Sequence, residues 1–166
     1  TAFRYRNNKI DGYASSLHYF TEWVRQAEKN GYIKDITLEI GGEITTKEVH
    51  FMSDNQKLYP KINDEKTLKT IVKNEKKINK KPLSQIEKSK VASIESKIKE
   101  GDFIAMTSTL EGMDCNHVGI AILVNNRIHL LHASSSLKKV VISEKPLADY
   151  LKGKKKDAGI MVLRVL

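Results

Sequence analysis

Two apolar segments separated by Asn125-Asn126 constrain the fold of this chain more than any other feature. Residues 114–124 and 127–136 are rich in β-branched and aliphatic side chains. Asparagine tolerates the positive φ that a tight two-residue turn requires. The pattern therefore predicts a β-hairpin with its turn at the two asparagines.

The predicted register brings two histidines to one end of this hairpin. It places His132 opposite Gly119 and His117 opposite Ser134, so that the two imidazoles are diagonal neighbours on one face. Gly119 carries no side chain and leaves space between the rings. Two adjacent imidazoles suit a general base and the group that orients it. Without the family resemblance, the residues favour a structural strand histidine at position 117, whose imidazole satisfies a buried carbonyl.

Short sequence blocks in a fixed order accompany the hairpin along the chain. They are Arg4-Tyr5-Arg6, Ile10-Asp11-Gly12-Tyr13, Leu17-His18-Tyr19-Phe20 with Trp23, Gly101-Asp102-Phe103-Ile104, His117-Val118-Gly119-Ile120, Leu131-His132-Ala133-Ser134 and Gly159-Ile160-Met161-Val162. In this order the blocks resemble the NlpC-type papain-like cell-wall hydrolases. Within that group the chain is similar to the N-acetylmuramoyl-L-alanine-amidase-like family, although its lysine-rich middle matches only loosely.

The resemblance implies a fold, an activity and a location. The implied fold is α+β and papain-like, with N-terminal helices packed on a mostly antiparallel, curled sheet. The implied activity is a Cys-His-His amidase of peptidoglycan fragments (muropeptides), exported to the bacterial cell envelope or periplasm. The bond cleaved would join muramic acid to the first residue of the stem peptide. No cofactor is implied.

The resemblance also assigns roles to individual residues. His117 would be the general acid and base, and His132 would hold it in position. Tyr19, His18 and Ser134 would contact substrate, although core packing or a polar strand exit also explains such residues. The expected nucleophilic cysteine lies at the start of a helix upstream of the Arg-Tyr block, and this chain begins at Thr1. We therefore expect an N-terminally truncated chain that is inactive alone.

Cys115 is the single cysteine and has three possible interpretations. A strand position lacks the helix N-terminus that lowers a thiol pKa, so an unreactive small thiol is the main interpretation. The second is a nucleophile beside His117. The third is a zinc ligand together with His117, His132 and Asp114, although the paired spacing typical of zinc sites is missing.

Composition leaves a second functional class open. The 166 residues carry a net charge of +9, and much of the excess lies between Lys57 and Lys99. Arginine is sparse, which argues against specific nucleic-acid binding. No segment approaches the roughly 20 apolar residues of a membrane span. The alternative to an amidase is a noncatalytic basic module that binds an anionic polymer; the oligomeric state is not indicated.

Residue periodicity predicts one α+β domain over residues 1–166. Helices are expected from a Ser15 or Ser16 cap to Asn30-Gly31, and over residues 64–79, 89–99 and 146–151. Strands are expected at 33–40, 44–52, 103–107, 140–142 and 160–166, beside the hairpin. The short connections after residue 102 favour a mostly antiparallel sheet, curled into a partial barrel.

Overall fold

The computed structural model describes residues 4–166, and the elements below are those of this part of the chain. Five α-helices and eight β-strands alternate irregularly along it, with several short 3-10 turns between them. In chain order they are α1 Phe20–Lys29, β1 Ile33–Asp35, β2 Glu43–Thr45, α2 Phe51–Asp54, α3 Glu65–Ile78, β3 Leu83–Glu87, α4 Val91–Ile94, β4 Phe103–Ser108, β5 Cys115–Val124, β6 Arg127–Ser134, β7 Lys139–Ile142, α5 Leu147–Lys152 and β8 Asp157–Val165.

The strands form one eight-stranded sheet in which every pairing is antiparallel. Its order is β2-β3-β8-β4-β5-β6-β7, and β1 pairs with the C-terminal part of β8. The α+β class and the mostly antiparallel sheet predicted from the sequence are therefore confirmed. No helix among residues 4–166 is long and apolar enough to cross a membrane.

The predicted hairpin is present with the predicted register. Ile120 pairs with Leu131 and Val124 with Arg127. Asn125 and Asn126 adopt φ values of 49° and 60°, the left-handed conformations that this turn requires. On its other side β5 pairs with β4, and the pairing shifts register between Met106 and Thr107. The shift places an extra residue, Asn116, immediately before His117.

Two layers of side chains cover the faces of the sheet. On one face, Ile104 and Met106 of β4 pack with residues of α4 and α5. On the other, Ala105 packs with Met161, Leu163 and the buried side of α1. Alternate residues of β4 thus serve opposite faces, as the two-residue period of a strand dictates. A third apolar cluster joins α2 and α3 to Tyr19.

Several sequence predictions of local structure are confirmed. The amphipathic segment 64–79 forms α3, and the Asp64 side chain caps it by accepting a hydrogen bond from the Thr67 N–H. The Asn30-Gly31 stop of α1 is present, with Gly31 at φ 73°. The expected elements at 103–107, 140–142, 146–151 and 160–166 correspond to β4, β7, α5 and β8.

Other predictions were wrong in their bounds. Neither Ser15 nor Ser16 caps α1, which begins at Phe20 after a 3-10 turn. The strand expected over 33–40 ends at Asp35, because the Asp35 side chain accepts the Thr37 N–H and turns the chain. The extended segment expected over 44–52 is strand only to Thr45 and then enters α2.

The lysine-rich middle contains more strand and less helix than expected. The strand β3 was missed, although it joins β2 to β8 in the sheet. The helix expected over 89–99 is divided among a 3-10 turn, the short α4 and a second 3-10 turn.

Candidate functional site

The two predicted histidines are in contact at one end of the hairpin. The Nε2 atom of His117, on β5, lies 2.8 Å from the Nδ1 atom of His132, on β6. The ring centroids are 4.9 Å apart, and the ring planes cross at 86°. One imidazole therefore donates a hydrogen bond to the other, and His117 keeps its Nδ1 atom for a further partner.

His132 is the inner member of the pair. Its side chain is buried, with 7% of its surface exposed. The Tyr150 ring of α5 packs against it with a centroid separation of 5.5 Å. On the Tyr150 ring lies the ammonium of Lys154, 4.4 Å from the centroid. These contacts fix the orientation of His132, and through it the orientation of His117.

The surroundings of the pair favour neutral imidazoles. Burial lowers the pKa of His117, partly opposed by the negative charge of Asp157. Burial also lowers the pKa of His132, and the charges of His117 and Lys154 add to this effect. A neutral imidazole can accept a proton, so His117 is suited to act as a base near neutral pH.

A groove opens beside His117. Its volume is about 520 Å³, and His132 does not line it. Side chains from α1, from the segment before it and from β4 and β5 form its walls. These include His18, Tyr19, Phe20, Trp23, Phe103, Cys115, His117 and Val118. The arrangement exposes one imidazole to a ligand and keeps the other behind it.

Asp114 joins the strand of His117 to the helix that borders the groove. One carboxylate oxygen accepts hydrogen bonds from the Thr21 N–H (2.7 Å) and the Thr21 hydroxyl (2.9 Å), and the other accepts the Cys115 N–H. The carboxylate thereby occupies the N-terminus of α1, where no local side chain provides a cap. Burial raises the pKa of Asp114, and the hydrogen bonds oppose this rise.

The single cysteine is poorly suited to be the nucleophile. Burial raises the pKa of the Cys115 thiol well above its usual value, and the nearby charge of Asp114 raises it further. Its side chain packs in the apolar cluster formed by α1, β4 and β8. Within the described residues no hydrogen bond joins the Cys115 sulfur to His117. The thiol is therefore predominantly protonated at neutral pH.

The three residues predicted to contact substrate lie in different settings. His18 lines the groove, and its Nε2 atom is 2.9 Å from the Tyr13 carbonyl oxygen. Tyr19 also lines the groove, yet its hydroxyl points inward, donating to Glu75 and accepting the Met52 N–H. Ser134 is outside the groove lining, and its hydroxyl accepts the Leu137 N–H in the turn after β6.

The histidines and acidic residues around the pair were also compared with a metal site. Within residues 4–166 no group of three histidine, cysteine or acidic side chains is arranged to hold a metal ion, so the structure gives no support to the zinc interpretation of Cys115, His117, His132 and Asp114. His129, three residues before His132, is buried, and its Nδ1 atom lies 2.7 Å from the Ser143 carbonyl oxygen, so its role is structural.

Sequence reasoning missed the supporting residues of the pair. Tyr150, Lys154 and Asp157 lie outside every block used above, and only the folded chain brings them close to the imidazoles. Asp114 gave no sequence signal either, because Ser15 and Ser16 were available as local caps and only the structure shows that α1 begins beyond them.

Comparison with known proteins finds a family model and several solved structures to which this chain is similar. A family model described as "AmiA-like: N-acetylmuramoyl-L-alanine amidase-like" matches residues 1–160. A solved structure of an N-acetylmuramoyl-L-alanine amidase from Bacteroides uniformis superposes on this chain with a TM-score of 0.93. The two sequences are 37% identical, and the match covers 99% of this chain and 70% of that one. No curated protein matches.

Two other solved structures share the fold. A Bacteroides fragilis protein provisionally named a xylanase is 37% identical, with a TM-score of 0.92, over 98% of this chain and 72% of that one. A Legionella pneumophila protein is 24% identical, with a TM-score of 0.74, over 99% of this chain and 67% of that one; it supports the fold alone.

Proposed function

This chain belongs to the AmiA-like, N-acetylmuramoyl-L-alanine amidase-like family, and on that premise we propose that it is the histidine-bearing portion of a cysteine amidase. The substrate would be a peptidoglycan fragment, cleaved at the amide that joins muramic acid to the first residue of the stem peptide. The observation that carries the proposal is the 2.8 Å contact of His117 with His132 at the edge of an open groove. A papain-like, NlpC-type fold and a single domain over residues 1–166 are part of the proposal.

In the proposed reaction the two ring nitrogens of His117 have different roles, one toward His132 and the other toward the sulfur and the substrate. Because Nε2 faces His132, Nδ1 is the atom left to exchange protons with the sulfur and the substrate. The sulfur would form a bond to the amide carbonyl carbon, and the carbon–nitrogen bond would break as Nδ1 gives its proton to the departing amine. Water would then attack the thioester with Nδ1 as base, releasing the acid and restoring the thiol.

We propose that the reacting sulfur comes from polypeptide outside these 166 residues. Cys115 is unsuitable, because burial holds its thiol protonated. Beside His117, the apolar side chains of Phe20, Trp23, Phe103 and Val118 are only partly buried. Such a surface suits the packing of a further helix, whose N-terminus would lower the pKa of a cysteine placed there.

The remaining roles follow from position. The Tyr19 ring and the His18 imidazole would form part of the substrate wall, since both line the groove. Ser134 is the weakest of the three proposals, because its hydroxyl is used within a turn. An amidase of muropeptides would act in the cell envelope or periplasm, where that substrate is found.

Glycoside hydrolysis is the competing chemistry suggested by the name of the Bacteroides fragilis protein. It commonly uses two carboxyl groups facing the sugar from both sides of the bond. Among the described residues that line the groove, the acidic side chain is Asp114, and hydrogen bonds to Thr21 and Cys115 occupy both its oxygens. This lining favours amide over glycoside hydrolysis.

Mass spectrometry of muropeptide digests distinguishes the two chemistries. The enzyme should be the polypeptide that includes these residues together with the sulfur-bearing segment. We expect a free stem peptide and a peptide-free muramic acid sugar, whose masses together equal that of the substrate plus one water. Cleavage between sugars, or between two amino acids of the stem, would contradict the proposal.

A further inference from the structure

A second cavity lies on the other side of α1 from the histidine groove. Its volume is about 500 Å³, and it is bounded by α1, the C-terminal end of α3 and the short turn at residues 6–8. Leu17 lines both this cavity and the groove. We call it the basic cavity, after the lysines of its rim: Lys29, Lys77, Lys80 and Lys81.

The charges around the basic cavity are almost entirely positive. Its four rim lysines are exposed and make no ion pair within residues 4–166. The acidic side chain in its lining is Glu22, which is already paired with Arg6. Lysines held around one concavity create a positive potential that concentrates anions there.

Arg25 contributes charge and also holds the wall together. Its guanidinium donates hydrogen bonds to the carbonyl oxygens of Ile78 and Lys81, just at and beyond the end of α3. These bonds satisfy carbonyl groups that would otherwise present the negative end of the helix to the cavity. The C-terminal end of α3 therefore does not repel an anion in the cavity.

Amide side chains complete the lining. Asn8, Asn30 and Asn74 all face the basic cavity, and the Nδ2 atom of Asn74 is buried without a hydrogen-bond partner among the described residues. Amides can both donate to and accept from sugar hydroxyl groups. The planar guanidinium of Arg25, a group that suits phosphate, already donates to backbone carbonyl oxygens. The cations left to bind a ligand here are the lysine ammonium groups.

From this combination we infer that the basic cavity is a binding site for an acidic polysaccharide, in which lysines contact carboxylates and amides contact hydroxyls. Apart from the shared wall at Leu17, the site is separate from the histidine groove, and binding there does not depend on hydrolysis. Binding would hold the protein on a carboxylated glycan while the groove on the other side of α1 stays open.

Isothermal titration calorimetry of the 166-residue chain with oligogalacturonate tests the inference. We expect binding at low salt that weakens as salt rises, and no binding of a neutral oligogalactose. The variant K77Q/K81Q should weaken binding by about fivefold or more, since it removes two of the charges that would contact carboxylates. The variant K99Q/K139Q removes the same charge away from the cavity and should stay within about twofold.

Three results would overturn the inference. One is no binding of oligogalacturonate at low salt, and another is equal weakening in K77Q/K81Q and K99Q/K139Q, which would indicate general attraction to a positive protein. The third is tighter binding of a single-stranded oligonucleotide that displaces the oligogalacturonate. Because calorimetry requires no catalysis, these results are independent of whether the chain is part of an amidase.

Discussion

The carboxylate of Asp114 accepts hydrogen bonds from both the backbone N–H and the hydroxyl of Thr21, a residue 93 positions earlier in the chain. This contact fixes the N-terminus of α1 against the start of β5. It therefore sets the distance between the aromatic side chains of α1 and the imidazole of His117, which together form the groove.

We predict that Asp114→Ala destabilises the protein by about 2–3 kcal/mol, because it leaves buried donors of Thr21 and Cys115 without an acceptor. Urea denaturation measures the loss. Asp149→Ala is the matched control, since it removes an exposed carboxylate paired with Lys152, and it should leave stability close to that of the wild type. Equal stability of the two variants would contradict the capping role of Asp114.

Gly119 is required by the packing of the hairpin rather than by its backbone angles. A β-carbon there would lie 2.6 Å from Leu130 Cδ1 and 2.8 Å from the Leu131 carbonyl oxygen. We predict that Gly119→Ala costs about 1–3 kcal/mol through overpacking. Gly153→Ala, where the new carbon meets nothing closer than 3.9 Å, should change stability by about 0.5 kcal/mol or less. Thermal denaturation measures the stability of both variants against the wild type. A Gly119→Ala variant as stable as the wild type would refute the prediction.

The histidine pair should make stability depend on pH in one direction. Burial lowers the pKa values of His117 and His132 below the 6.5 expected in the unfolded chain. Between the lowered values and 6.5 the unfolded chain binds more protons, so stability is full above pH 6.5 and decreases as pH falls through the folded pKa values.

Urea denaturation at pH 7.5 and at pH 5 checks this sign. We predict that the wild type loses more stability between these pH values than the double variant H117N/H132N, which lacks both titrating rings. In parallel, NMR titration should give midpoints below 6.5 for both imidazoles. Midpoints above 6.5, or an equal loss in the double variant, would contradict the effect of burial.

The local sequence pattern correctly predicted the hairpin formed by β5 and β6. The hairpin register follows from two apolar strands and an Asn-Asn turn, and these features lie next to each other in the sequence. Extending that register beyond Ile120 and Leu131 predicted that His117 and His132 would be neighbours, and the two rings are in contact. The residues before α1 were misassigned because the capping group, Asp114, comes from a distant strand. The strand β3 was missed since only Leu83 and Ile86 of its residues are buried, a spacing of three that is untypical of a strand.

The basic cavity shows the other limit of sequence reasoning. The excess of lysine was visible in the sequence, but most lysines lie on solvated surfaces. Lys29, Lys77 and Lys81 come together only because α1 and the end of α3 pack side by side, joined by Arg25. Such a grouping depends on tertiary structure and has no local signature.

Muropeptide hydrolysis by the polypeptide that carries both these residues and the sulfur-bearing segment tests the central proposal most directly. We predict that His117→Ala reduces kcat/KM by at least about 100-fold, the usual contribution of a general acid and base, whereas Cys115→Ala retains activity. The 166-residue chain alone should release no stem peptide. Hydrolysis by that chain which is lost in Cys115→Ala, or full activity of His117→Ala, would contradict the proposal.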